Sequence, residues 1–203
     1  MEARLSLPTI KGLEFSEEGH VYLLDGEQIP SVTQLMEPLN RREYMRVDSR
    51  TLEMAAQRGT AVHNAIENYL KYGLDDIDPD YRCYMDGFHE WWEEYNPEFV
   101  ASEMRVYHKL YRYAGTADLL AIIDGKLTLV DFKTTYKLSE KSVRVQLEAY
   151  SQAMGSHGII IDGKMVLHLS ADGKWKSPEF PDKDTEALRV FNSLRCVHDY
   201  LAK

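Results

Sequence analysis

Residues 115–134 constrain the fold more than any other part of the chain. Gly115-Thr116-Ala117-Asp118 leads into an apolar run, Asp124-Gly125 interrupts it, and a second apolar run ends in Asp131-Phe132-Lys133. An Asp-Gly dipeptide between two β-type runs signals a two-residue type I′ hairpin, because both central positions need positive φ and these residues tolerate it. The spacing predicts antiparallel strands over 117–123 and 126–134. With Asp124 and Gly125 at the centre of the turn, Ile123 faces Lys126, and counting back sets Asp118 opposite Asp131. Directly opposed Cβ atoms lie roughly 4.5–5.5 Å apart. Lys133 returns to the face of Asp131, while Phe132 points to the other side.

Two carboxylates held face to face repel, and one of them would normally have its pKa raised. A divalent cation removes that cost, and paired Asp oxygens suit Mg²⁺ or Mn²⁺. The plainer reading is a surface hairpin in which Lys133 bridges Asp131, since Asp-x-Lys alone is common. Against it, both faces of these strands are apolar: Leu119, Ala121 and Ile123 on one, Leu120, Ile122, Leu127 and Leu129 among the other positions. That pattern belongs to a buried sheet.

At 203 residues, 44% hydrophobic and 28% charged, the chain fits one globular domain over 1–203. No apolar run approaches the roughly 18 residues of a membrane span. Residues 1–7 lack the apolar core of a signal peptide, so a soluble cytoplasmic protein is expected. Cys83 and Cys196 are the only cysteines, too few for a four-cysteine cluster, and read as reduced thiols. The net charge of −9 is concentrated between Asp75 and Glu103, where ten acids face Arg82 alone. The rest is balanced and holds two basic stretches, Arg41/Arg42/Arg46/Arg50/Arg58 and Lys133/Lys137/Lys141/Arg144. Local basic surface beside an acidic segment is compatible with binding a nucleic-acid backbone.

In chain order, residues 13–30 read as a small hairpin turning at Asp25-Gly26. Ser31 or Thr33 caps a first helix limited by Pro38. A basic helix over 41–57 is interrupted at Arg58-Gly59-Thr60, and Thr60 caps a helix to Tyr72 with Val62, Ile66, Tyr69 and Leu70 as its apolar stripe. His63 sits on the shoulder of that stripe, where a packed core histidine is the commoner reading. An aromatic helix follows over 80–95; Trp91 and Trp92 there read as core before they read as base-stacking rings. Residues 100–107 alternate as a strand, with Glu103 and Arg105 on one face. Ser139 opens a helix in which Gln146 and Tyr150 share a face, and Val143, Leu147 and Met154 pack. Residues 158–161 and 165–169 read as strands around a turn at Asp162-Gly163, with another turn at Asp172-Gly173. Pro181 opens a last helix packed by Leu188, Phe191, Leu194 and Leu201. The sum is an α/β fold with a mixed central sheet flanked by helices.

With these residues placed, the chain resembles the PD-(D/E)XK nucleases of the RecB-like exonuclease branch, in the stand-alone form found in phages and mobile elements. The resemblance rests on Ile29-Pro30-Ser31-Val32-Thr33, Arg58-Gly59-Thr60-x-x-His63, Glu103, Gly115-Thr116-Ala117-Asp118, Asp131-Phe132-Lys133-Thr134 and Gln146-x-x-x-Tyr150, six elements in the family's order. It implies a restriction-endonuclease-like sheet in a single nuclease domain over 1–203: an N-terminal hairpin and helix start (1–36), a helical region (37–98) and the core sheet with its helices (99–203). Asp118 and Asp131 would hold Mg²⁺ or Mn²⁺, with His63, the Phe132 carbonyl and, through water, Glu103. Lys133 would orient the attacking water, and Gln146 and Tyr150 would line the DNA groove. Arg58, Lys137, Lys141 and Arg144 would contact DNA. The branch bearing an iron–sulfur cluster has four cysteines, so no such cluster is expected here. No phosphate loop of a helicase is present; unwinding would need a partner, as would recombination with a strand-annealing protein. The rivals are a structure-specific endonuclease on the same scaffold, a DNA-binding or assembly subunit whose acidic segment recruits a basic partner, and a protein with a structural metal.

Overall fold

The computed structural model describes residues 9–202 apart from 17 and 46, with the backbone alone for 42–44. Arg46 and the Arg42 side chain, two members of the first basic stretch, lie outside the described residues, as does the segment read for a signal peptide. The N-terminal hairpin is a three-stranded antiparallel sheet of β1 (Leu13–Ser16), β2 (Val21–Leu24) and β3 (Glu27–Ile29). Its second turn places both Asp25 and Gly26 at positive φ, +52° and +82°. Ser31 then opens α1 (Val32–Leu35) with a full capping box, its hydroxyl accepting from the Gln34 N–H while the Gln34 side chain accepts from the Ser31 N–H. Pro38 sits in the first turn of α2 (Glu37–Tyr44), where its missing N–H costs nothing.

The next helix differs from the sequence expectation. α3 (Ser49–Tyr72) runs unbroken for 24 residues through Arg58-Gly59-Thr60, and the break comes earlier, at 45–48. Asp48 is the true N-cap, its carboxylate accepting from the Thr51 N–H at 2.9 Å. A glycine inside a helix costs only about 1 kcal/mol relative to alanine. Here the helix passes Thr134 closely enough that a Cβ on Gly59 would meet its hydroxyl at 3.8 Å. The Arg58 bond to the Thr134 carbonyl and the burial of Val62, Ala65 and Ile66 just beyond outweigh the local signal. α3 ends at Gly73 in the left-handed region, and a 3₁₀ turn (Pro79–Tyr81) leads into α4 (Arg82–Tyr95).

The central sheet consists of β4 (Glu98–Tyr107), β5 (Ala114–Ile123), β6 (Lys126–Lys133), β7 (Gly163–Leu169), β8 (Trp175–Lys176) and β9 (Glu179–Phe180). β4, β5 and β6 are antiparallel, β6 and β7 are parallel, and β8 and β9 both pair antiparallel with β7, so the sheet is mixed. The parallel step is bridged by α5 (Glu140–Gly155), capped by Ser139 as its sequence suggests. α6 (Thr185–Leu201) closes the chain. Strand alternation feeds two apolar layers: Leu120, Leu129 and Val166 pack with α1, α5 and α6, while Leu119, Val130 and Leu167 pack with α3 and α4. Trp91 is fully buried in the second layer.

Three further expectations are corrected. Residues 158–161 form a connection, not a strand, and Asp162-Gly163 is the entry to β7, not a turn: Gly163 pairs with Thr128, and a Cβ there would lie 2.7 Å from the Thr128 hydroxyl. The last helix begins after Asp184, whose carboxylate accepts from the Ala187 N–H, and not at Pro181. Phe191 and Leu194 pack as expected, joined by Ala187, while Leu201 is exposed.

A buried ion pair, which no pattern in the sequence announces, joins these layers. Lys164 on β7 donates to Glu148 on α5, and both side chains are buried. Glu148 also accepts from the Gln152 amide at 2.8 Å and from the Asp184 N–H at 3.3 Å, so α5, β7 and the start of α6 share one carboxylate. Removing one partner of such a pair strands the other, at a cost of about 3–5 kcal/mol, whereas replacing both by apolar groups is nearly neutral. Urea denaturation of Lys164→Ala should show a loss of that size, and the double variant Lys164→Met/Glu148→Leu should recover most of it; equal losses in both would refute this account.

Candidate metal centre and nucleic-acid cleft

The hairpin register is the one the turn dictates. Ile123 pairs with Lys126 and the ladder continues to Leu119 with Val130, which sets Asp118 across from Asp131. On the other side of β5, Ser102 pairs with Leu119 and Met104 with Ala117, so Glu103 lies across from Asp118. Three carboxylates on three adjacent strands thus form one row across the sheet. Glu103 occupies that row with φ at +49°, a left-handed conformation costing about 1–2 kcal/mol for a non-glycine residue.

The β5–β6 ladder ends where the row begins. Beyond Leu119 and Val130 the Phe132 N–H donates to Asp118 Oδ2 at 2.7 Å, which fixes that carboxylate and leaves Oδ1 facing outward. α3 brings His63 over the same strand end, where its ring meets Phe132 edge to face at 5.7 Å. His63 Nε2 lies 3.1 Å from the Phe132 carbonyl. A carbonyl only accepts, so Nε2 carries a hydrogen. Nδ1 faces Asp118 Oδ1 at 3.6 Å and Glu103 Oε1 at 3.9 Å. These contacts are too long for hydrogen bonds. His63, Glu103 and Asp118 each place a ligand atom within 4.8 Å of the others, a group able to hold a metal ion.

Asp131 stands one step behind, fully buried and bound to Lys133 Nζ at 2.5 Å. Its Oδ1 has no hydrogen-bond partner among the described residues. Burial, against the pull of Lys133 and with the help of Asp118, pushes Asp131 up to about 6. Burial, reinforced by Asp118 and Glu67, pushes Glu103 up to about 8. An orphaned carboxylate oxygen, carboxyls that resist ionisation and a ring nitrogen facing two carboxylate oxygens together make a donor set that a divalent cation would satisfy. The donor set therefore fits a divalent metal.

The remaining predicted residues divide into two groups. Tyr150 is buried beside the row, and the Gln146 amide donates to its hydroxyl at 3.3 Å. Burial and the Asp131 carboxylate raise the Tyr150 hydroxyl well above its usual range. Its ring lies against the β5 backbone so closely that a Cβ on Gly115 would sit 2.5 Å from Cε1, which accounts for that glycine. Among the basic residues, Lys137 and Lys141 are exposed. Arg58 donates to the Thr134 carbonyl at 3.0 Å and lies over the Tyr84 ring, holding the segment after Lys133. Arg144 chelates Asp184 at 2.7 and 2.9 Å and so serves α6.

His63, Glu103, Asp118 and Tyr150 line a cleft of about 950 Å³ whose far wall is the N-terminal sheet. That wall went unassigned in the sequence reading. Its anchor is Tyr22, buried, with its hydroxyl 2.8 Å from Thr116 Oγ1, and the signal lay in β2, where Tyr22 is the inward residue of an alternating strand. A second hollow of about 720 Å³ is lined by Arg58, Tyr136, His168, Lys174 and Trp175.

No family model matches the chain, and no curated protein matches it. Among solved structures it is similar to that of SSO0001, at 18% identity over 82% of this chain and 74% of that chain, with a TM-score of 0.47. It is also similar to that of LHK-Exo in complex with dAMP, at 8% identity over 82% of this chain and 84% of that chain, with a TM-score of 0.45.

The raised carboxyls set a pH dependence. Between the ordinary carboxylate range and about 8, the unfolded chain has released the Glu103 proton that the native chain retains, so raising the pH favours unfolding. The melting temperature in chelator should fall as pH rises through that window. Glu103→Gln should flatten the fall, and saturating Mn²⁺ should reverse it, because metal replaces the protons. A flat profile in chelator would contradict the crowding of the row.

Proposed function

We propose that this chain is a divalent-metal-dependent deoxyribonuclease that hydrolyses phosphodiester bonds from accessible DNA ends. The observation that supports it most is the row Glu103–Asp118–Asp131 with His63 Nδ1 on one side and Lys133 on the other. A binding module has no use for stacked, buried carboxylates beside a polyanion. The end-directed mode rests on the six sequence elements quoted above and their order, and the same order suggests recombination or DNA processing in a phage or mobile element.

Asp118, Glu103 and His63 would hold the ion, with Asp131 as the further carboxylate; hard oxygen donors favour Mg²⁺ or Mn²⁺. Bound there, such an ion supplies a Lewis acid for the phosphoryl oxygen and lowers the pKa of water. The protein does the rest. The Phe132 N–H and C=O fix the orientations of Asp118 and His63, so the ligand atoms need no reorganisation. Lys133, a quarter exposed while its partner Asp131 is buried, presents a donor at the cleft floor, where it orients water and stabilises charge growing on the phosphate. Tyr150 and Gln146 exclude water behind the carboxylates. Lys137 and Lys141 add sequence-independent phosphate contacts.

Digestion of end-labelled linear DNA in Mg²⁺ or Mn²⁺ is the test. Asp118→Asn, Asp131→Asn and Lys133→Ala should each lower the rate by at least about a hundredfold, with unchanged circular dichroism. Covalently closed circles should survive; their cleavage would replace the end-directed mode with an endonuclease, and full activity in any of the three variants would refute the site.

A further inference from the structure

The wall of the cleft opposite the carboxylates is aromatic and cationic. Phe15 on β1 and Tyr22 on β2 are cross-strand partners with ring centroids 4.7 Å apart. Tyr22 is the buried member and does the packing. Phe15 is half-buried and His20 is exposed, with the imidazole nearly perpendicular to both neighbours at 4.9 and 5.7 Å. Arg105, exposed on β4, reaches across so that its guanidinium carbon lies 5.8 Å from the Phe15 ring centroid. Phe15, His20 and Arg105 all border the 950 Å³ cleft that His63, Glu103 and Asp118 border from the other side. Apolar packing of the small sheet explains Tyr22; it does not explain an exposed imidazole and a guanidinium gathered at a phenyl ring inside a polar cleft.

The distance from this ledge to the carboxylates is fixed by the fold. The Tyr22–Thr116 contact ties β2 to β5 two residues before Asp118, and the Ala114 N–H donates to the Pro30 carbonyl at 3.0 Å. Aromatic rings and arginine planes are the surfaces on which unpaired bases stack, and stacking needs a base face that a paired strand does not offer. We infer that Phe15, His20 and Arg105 form a base-stacking subsite for the unpaired terminal nucleotide of single-stranded DNA, holding it while its phosphate reaches the carboxylate row. The inference takes its substrate class from the nuclease reading of the same cleft. It adds a preference for single-stranded or overhanging ends over blunt duplex.

Binding tests it without turnover. The full chain, in Ca²⁺ without Mg²⁺ or Mn²⁺, is titrated into a short single strand carrying 2-aminopurine at either terminus, and into the same strand with an abasic terminal residue. Stacking should quench the fluorophore at one terminus, and the abasic strand should bind roughly tenfold more weakly. Phe15→Leu, which keeps the apolar packing, and His20→Ala, at an exposed position, should each weaken binding of the intact strand and abolish the abasic difference; Phe15→Trp should restore both. Equal affinity for intact and abasic strands, unaltered binding in both variants, or equal dependence of blunt duplex on Phe15 would overturn the subsite. Cleavage in Mg²⁺ by a protein that shows no abasic difference leaves the nuclease reading standing without the ledge. An abasic difference without cleavage in Mg²⁺ or Mn²⁺ does the reverse.

Discussion

Repulsion among three carboxylates that cannot move apart governs this structure. Two unit charges 4 Å apart in a protein-like dielectric of about 20 repel by about 4 kcal/mol, and Asp131 bears a further desolvation penalty because it is fully buried. Relief by shifting the strands is blocked. The type I′ turn at Asp124-Gly125 sets one register, and a slip by a single residue would turn Leu119, Leu120, Leu129 and Val130 to the wrong apolar layers. The sheet therefore keeps the row in place and leaves it two ways to become neutral, protons or a cation. That choice underlies both the expected pH dependence and the fit of the donor set to a divalent cation.

The strand that bears Asp118 also joins every other wall of the cleft. Ala114 pairs with the connection out of the N-terminal sheet, Gly115 gives room for the Tyr150 ring, Thr116 meets Tyr22, and Asp118 meets His63 and the Phe132 amide. Four of the five residues at 114–118 so connect α5, the N-terminal sheet, β6 and α3. A residue type with a different shape at any of them would displace a wall and not simply weaken a contact. This is why Gly-Thr-Ala-Asp reads as a motif although none of its members but Asp118 reaches the ligand group.

The legible part of the chain was the part controlled by neighbours in sequence. The turn fixed a register, two-sided apolarity implied a buried sheet, and Ser31, Gly73 and Ser139 capped helices through hydrogen bonds made within a few residues. Failures came where distant packing overrules such signals. Gly59 looks like a helix breaker but stays helical where Arg58 is tied to Thr134 and the following Val62, Ala65 and Ile66 are buried. Asp162-Gly163 looks like a turn, yet the lack of a side chain is used to bring β7 against Thr128. The positive φ of Glu103 and the Lys164–Glu148 pair have no local signature at all, since each exists only once strands and helices from separate parts of the chain have met. For the site, residue types were readable and roles were less so: Arg58 and Arg144, both basic in sequence, are tied to Thr134 and Asp184, whereas the ledge on the N-terminal sheet carried no recognisable motif.

Charge counting narrows what the row can hold. Glu103, Asp118 and Asp131, when ionised, carry three negative charges, and Lys133 cancels one of them through its contact with Asp131. His63 turns Nε2 to the Phe132 carbonyl and Nδ1 to the two carboxylates, so it adds a nitrogen donor to the row. The two charges that remain are those of one divalent ion. A second ion would bring excess positive charge into a partly buried site, and only a phosphate could balance it. On the proposed reading the row's own charge balances one divalent ion, and a second would have to arrive with the nucleic acid.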